Sequence, residues 1–154
     1  MYVPYLCLGL SALFILSACQ HAGIQKDLSA PLPDDPSDRL ALLHEAMDKA
    51  LVILESKEYK RFYEECVDPF WMARGVADAG MTIDEGWEQF FQKTNEDIEF
   101  HSKLMLESIR KARESEPTWL LDGRVAHFIE RGGDSHFAEF WVWQDGRWMI
   151  SPET

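Results

Sequence analysis

The hydrophobic period of this chain changes once, at Pro117, and that change limits the fold more than any other feature. Before Pro117, apolar residues recur at helical spacing; after it they alternate, as in half-buried strands. The later segments TWLL, RVAHFIER, SHFAEFWVWQ and RWMIS read as four strands. Asp122-Gly123 and Asp145-Gly146 fall between strands and favour two-residue hairpins, because type I′ turns need positive φ at both central residues. Gly132-Gly133-Asp134 supplies the middle turn. The expected class is therefore α+β: N-terminal helices packed on a C-terminal antiparallel four-stranded meander. No internal repeat is present.

The helical half carries its own punctuation. Asp35 caps a helix that Pro36 opens, and Asp38 faces its positive end. Leu40, Leu43, Met47, Ala50, Leu51 and Leu54 keep one face apolar to about Ser56. A second helix begins near Lys57, puts Tyr59, Phe62, Tyr63 and Cys66 on one side, and stops at Asp68-Pro69. Phe70 to Gly80 is ambiguous, with a helical turn closed by Gly80 as its reading. Thr82 and Glu85 have capping-box spacing, opening a helix with Trp87, Phe90 and Phe91. A longer helix is expected from Glu96 to about Glu114, lined by Ile98, Met105, Ile109 and Ala112.

The amino terminus sets a different constraint. Val3 to Ala18 is apolar or small and uncharged, too short for the roughly 20 residues of a spanning helix. It fits the core of a secretory signal. It ends in Leu16-Ser17-Ala18-Cys19, which resembles the lipobox of bacterial lipoproteins. The resemblance implies cleavage before Cys19, a diacylglyceryl group on its thiol and acylation of the new amino terminus; the acyl chains would give a stable membrane anchor. Gln20, rather than Asp, at the next position implies the outer membrane, facing the periplasm, in a cell with two membranes. An uncleaved anchor or an ordinary secretory signal are the alternatives. The expected division is residues 1–18 as signal, 19–35 as a flexible tether containing Pro31 and Pro33, and 36–154 as one domain. Cys7 leaves with the signal and Cys19 is lipidated, so Cys66 stands alone and the mature chain has no internal disulfide. On a helix, in YEECV, it reads as a small buried apolar residue.

The formal net charge of −12 belongs wholly to the chain after Cys19, because residues 1–18 hold no Asp, Glu, Lys or Arg. Such a surface argues against nucleic acid, whose phosphates demand basic patches, and against lying flat on anionic lipid. An unidentified protein or small-molecule ligand is left as the partner, beside the membrane itself. His44-Glu45-x-x-Asp48 puts His44 and Asp48 on one helix face, as in a zinc-protease helix. It lacks a third ligand, and Leu43 and Met47 already define the buried side. It reads as a charged outer face, and no metal or cofactor is expected.

Counting inward from a three-residue loop at Gly132–Asp134 places Ile129 opposite Phe137, His127 opposite Glu139 and Val125 opposite Trp141. A two-residue turn at Asp145-Gly146 places Trp143 opposite Trp148 and Trp141 opposite Ile150. One face then carries Val125, Ile129, Phe137, Trp141, Trp143, Trp148 and Ile150, with His127 and Glu139 as a polar pair within it. A carboxylate beside imidazole in an apolar cavity is a setting for acid–base catalysis. The other face, with Trp119, Ala126, Phe128, Ala138, Phe140, Val142 and Met149, is also apolar and would suit a homodimer through the sheet. A one-residue slip would separate the pair.

Asp68-Pro69, Asp122-Gly123, Ala126, Phe128, Phe140, Val142, Asp145-Gly146, Trp148 and Ile150 together make the stretch from Asp38 to Ile150 resemble small bacterial lipoproteins of the nuclear-transport-factor-2-like superfamily, also called cystatin-like or ketosteroid-isomerase-like. That resemblance implies a curved sheet around helices and a cone-shaped pocket, here lined by Phe137, Trp141, Trp143 and Trp148. The superfamily holds isomerases, dehydratases and binding modules, and no enzyme motif is matched residue by residue. Two readings follow: a lipid-anchored binding or interaction module without chemistry, or a small pocket enzyme of the isomerase or dehydratase type using His127 and Glu139.

Overall fold

The computed structural model describes residues 30–93, 95–128 and 139–151. Five helices precede one sheet: α1 (Pro36–Glu55), α2 (Tyr59–Cys66), α3 (Pro69–Ala79), α4 (Ile83–Lys93) and α5 (Asn95–Arg113), then β1 (Thr118–Leu120), a 3-10 turn (Leu121–Gly123), β2 (Val125–His127), β3 (Phe140–Gln144) and β4 (Arg147–Ser151). The strands pair antiparallel in the order β1-β2-β3-β4. The chain is thus an α+β protein with a C-terminal meander, as its period predicts.

Local chemistry sets the helix ends. The Asp35 carboxylate accepts from the Ser37 amide at 2.7 Å, with Pro36 in the first turn. Thr82 and Glu85 close a reciprocal box: Oγ1 of Thr82 accepts from the Glu85 amide at 3.3 Å, and Oε2 of Glu85 accepts from the Thr82 amide at 2.8 Å. The ambiguous stretch Phe70–Gly80 is helical. Asp68 caps it by accepting from the Phe70 amide at 3.0 Å, Pro69 opens it, and Gly80 closes it at φ +67°. The pull of two good caps outweighs a weak apolar pattern.

The core lies between the sheet and α1, α2 and α5. Leu43, Met47, Ala50, Ile53 and Leu54 of α1 meet Phe62 and Cys66 of α2, Met105, Ile109 and Ala112 of α5, and Trp141, Trp143, Trp148 and Ile150 of the sheet. Burying each large apolar side chain contributes about 1.5–3 kcal/mol. Salt bridges Arg113–Asp48 (3.0 Å) and Arg110–Glu55 (2.7 Å) run along the outside of the α1–α5 seam. Asp48 is thereby committed to a structural partner.

Ala30 to Asp35, read from sequence as the end of the tether, is held on the domain. Leu32 packs against the core, Arg39 donates to the carbonyls of Pro33 (3.0 Å) and Asp34 (3.3 Å), and Arg124 donates to the carbonyl of Ala30 (3.2 Å).

Two turn expectations divide. Asp145-Gly146 is the two-residue hairpin foreseen, with Gln144 opposite Arg147 and φ of +51° and +73°. Asp122-Gly123 is not. Leu120 pairs with Val125, so residues 121–124 form the link, and Leu121 joins Asp122 and Gly123 in the left-handed region. The β2–β3 register also departs from expectation by one residue. Val125 faces Val142, Ala126 faces Trp141 and His127 faces Phe140. The observed register sets small Ala126 against large Trp141 and turns Ala126 and Phe128 into the core beside Trp119. A slip by one would drive half-exposed Val125 inward and expel Phe128. The β3–β4 register is as expected: Trp141 faces Ile150 and Trp143 faces Trp148.

Two helical glycines separate packing from propensity. A Cβ at Gly86 of α4 would overlap Val76 Cγ1 and press on Met72 Sδ of α3, and a β-branched valine on a helix has little rotamer freedom to yield. A Cβ at Gly75 meets nothing within 4 Å. Gly75→Ala should therefore stabilise the protein by about 0.5–1 kcal/mol. Gly86→Ala should destabilise it by about 1–2 kcal/mol despite the same helix propensity gain. Urea unfolding of both variants measures the sign of each.

Candidate functional site

His127 ends β2 and Glu139 lies in the bend entering β3. They are not directly opposed in the ladder, yet His127 Nε2 and Glu139 Oε1 are 2.8 Å apart, each side chain 20% exposed. The imidazole stacks flat on Phe140, its true cross-strand neighbour, with ring centres 4.3 Å apart and planes 3° off parallel. Strand alternation puts Ala126 and Phe128 on the helical side of the sheet, so His127 and Phe140 stand on the other. The pair exists, but away from the interior in which an enclosed pocket was expected.

That interior is filled. Trp141, Trp143 and Trp148 are 0%, 6% and 3% exposed and sit inside the core cluster. Trp148 packs against Trp143 at 5.5 Å and Trp119 at 5.7 Å between ring centres. The indole N–H groups of Trp141, Trp143 and Trp148 have no hydrogen-bond partner among the described residues. These side chains serve as apolar bulk. Phe137 and Cys19 lie outside the described residues, as does Ile129.

Sequence reading missed three features. The first is a buried polar link: Gln144, wholly buried, donates through Nε2 to Asp68 Oδ1 at 3.0 Å. Its signal, a Gln ending an aromatic strand, is too common to notice. The second is a cluster of five rings from three helices, in which Tyr63 touches Trp71, Trp87, Phe90 and Phe91. Trp71, Trp87, Phe90 and Phe91 stay half-buried. The spacing of Trp87, Phe90 and Phe91 marks one helix face, but only the fold brings Tyr63 and Trp71 to it. The third is an open groove of about 640 Å³ beside this cluster, floored by Tyr59, Phe91 and Ile98. Lys57, Lys60 and Arg61 line its rim with Glu58, Glu64 and Glu99, and these charges pair among themselves, as in Lys57–Glu99 at 3.2 Å and Arg61–Glu58 at 3.1 Å. The rim is electrically balanced on an otherwise acidic protein.

His44 is not grouped with other metal-binding side chains among the described residues. Its Nε2 is buried without a partner, burial pulls its pKa down, and Asp48 is held by Arg113. Among the described residues no cluster of three or more His, Cys, Asp or Glu side chains is placed to hold a metal ion. Comparison with protein-family models, with curated proteins and with solved structures gives no match.

Cys66 is buried, and burial pushes its thiol up to about 11. The thiolate is the reactive form, so the native thiol should resist alkylation at pH 8. Iodoacetamide should modify Cys66 only after the chain is unfolded in guanidinium; rapid native labelling would overturn the assignment of a purely packing role.

Proposed function

We propose that this protein is a lipid-anchored binding or interaction module of the bacterial envelope, held through Cys19 at the outer membrane and facing the periplasm, without chemistry of its own. The observation that carries the second half of this reading is the filled interior. Trp141 and Phe62, both wholly buried, occupy the space between sheet and helices where an enclosed substrate would sit. The half-buried ring cluster of Trp71, Trp87, Phe90 and Phe91 offers a contact surface instead, since aromatic side chains dominate protein interfaces. On the sheet's second face Met149 is already wholly buried within the chain, so only the half-buried part around Phe140 and Val142 is the corresponding candidate for a homodimer. The resemblance to lipoproteins of the nuclear-transport-factor-2-like superfamily supports the address. No helix among the described residues is long and apolar enough to cross a membrane.

The address has a direct test. In cells fed an alkyne-tagged fatty acid, the wild-type chain should take up label and fractionate with membranes. Cys19→Ser should lose the label and stay at precursor mass. An unlabelled wild type would defeat the reading.

The His127–Glu139 contact favours a second reading, a small acid–base enzyme. On that reading, any isomerase or dehydratase turnover found in a substrate screen should fall about 10²–10⁴-fold in Glu139→Gln. Unchanged turnover would assign the pair to packing.

A further inference from the structure

The link between β1 and β2 presents two leucines to water. Leu121 is 75% exposed and Leu120 39% exposed. Leu121 also holds a left-handed backbone at φ +49°, an uncommon and unfavourable state for a bulky residue, followed by Asp122 at +54° and Gly123 at +84°. Such conformations persist where the surroundings impose them, and they concentrate at ligand-contacting sites. The surroundings here are specific. The Arg39 guanidinium lies against Gly123 so closely that any Cβ would collide with it, and it sits 5.7 Å over the Trp119 ring. The tip is thus braced from beneath, with Leu121 held outward.

The end of the tether is braced at the same place. Arg124, three residues beyond Leu121, donates to the carbonyl of Ala30, and Arg39 donates to those of Pro33 and Asp34. The chain that leads back to Cys19 therefore leaves the domain beside the exposed leucines. Cys19 and Ala30 are eleven positions apart, and no chain of that length spans more than about 40 Å. Arg39 and Arg124 flank the tip on a protein of net charge −12, Arg39 also attracting the Asp35 carboxylate. Asp122 lies in the same turn, so the attraction is apolar first and electrostatic second.

We propose that the Leu120–Leu121 tip is a second membrane contact, entering the interfacial layer of the bilayer that anchors Cys19 and fixing the orientation of the domain. This inference rests on the lipid-anchor reading. An apolar pair seated at headgroup depth with arginines beside it follows the general pattern of interfacial anchors, in which a lipid chain is reinforced by a second signal.

The test uses the full lipidated chain, reconstituted into vesicles of phosphatidylethanolamine and phosphatidylglycerol. In Leu121→Cys the introduced thiol is the reactive one, because Cys66 is buried with its thiol at about 11 and Cys19 is acylated. An environment-sensitive fluorophore on it should shift to shorter wavelength in vesicles and be quenched several-fold by nitroxide-labelled acyl chains. The same fluorophore at Val52→Cys, an exposed site about 20 Å along α1 from Arg39, should show neither effect. Vesicles that carry the protein but leave the Leu121 fluorophore in water would overturn the second contact and keep the anchor. Protein that fails to float with vesicles would overturn both. A concentration-dependent shift in detergent alone would make a second copy the occupant and defeat the proposal.

Discussion

The two halves of this protein share one core and are pinned together at one corner by buried hydrogen bonds, and the geometry of the rest depends on it. Val67 and Asp68 leave α2 and run beside β4 as a short parallel bridge, with the Asp68 amide donating to the Ile150 carbonyl at 2.7 Å. The Asp68 side chain then accepts from the Phe70 amide, starting α3, and from Gln144 Nε2 at the end of β3. A single buried residue thus follows the end of one helix, caps the next and fastens both to the sheet. In a low-dielectric interior such bonds are strong when made and costly when broken, which gives the corner a defined geometry. The placement of α2 over Ile150, and through it the closure of the core on Trp141, follows from that corner.

Features governed by neighbours in sequence were legible in advance. Asp35 with Pro36, Thr82 with Glu85, and Asp145 with Gly146 each need only a few adjacent residues to define their shape. Trp143 opposite Trp148 was legible for the same reason, since a two-residue turn fixes the register next to it. The β2–β3 register was not. It is decided by which face of β2 the helices bury, and the buried face is that of Ala126 and Phe128, with small Ala126 opposite large Trp141. Asp122-Gly123 misled because the same dipeptide that favours a tight turn also tolerates a longer one, and Arg39, distant in sequence, braces the longer form.

The candidate site shows the same division. His127 and Glu139 do meet, but by a carboxylate reaching back from a bend rather than across a ladder rung. Their meeting reflects chain proximity at the mouth of a hairpin, and the face they occupy was set by the register. The ring cluster around Tyr63 was invisible as a unit because its members come from α2, α3 and α4. Each aromatic residue had a sufficient explanation as core on its own helix. Only the assembled hairpin of α3 and α4, pressed together at Gly86, shows that four of the rings remain partly open.

The strap at the amino end of the domain has a consequence for assembly in time. Ala30 and Arg124 are 94 positions apart, and Asp68 waits 76 positions for Gln144. A chain made from its amino terminus completes its helices before either partner exists. Loop closure over such separations is slow compared with helix formation. The helical half therefore stands with Leu43, Met47 and Phe62 uncovered until the last thirty or so residues arrive. The meander, local in its own pairing, works as a lid made last, and the Arg124–Ala30 bond of the strap forms only once its first strand has arrived.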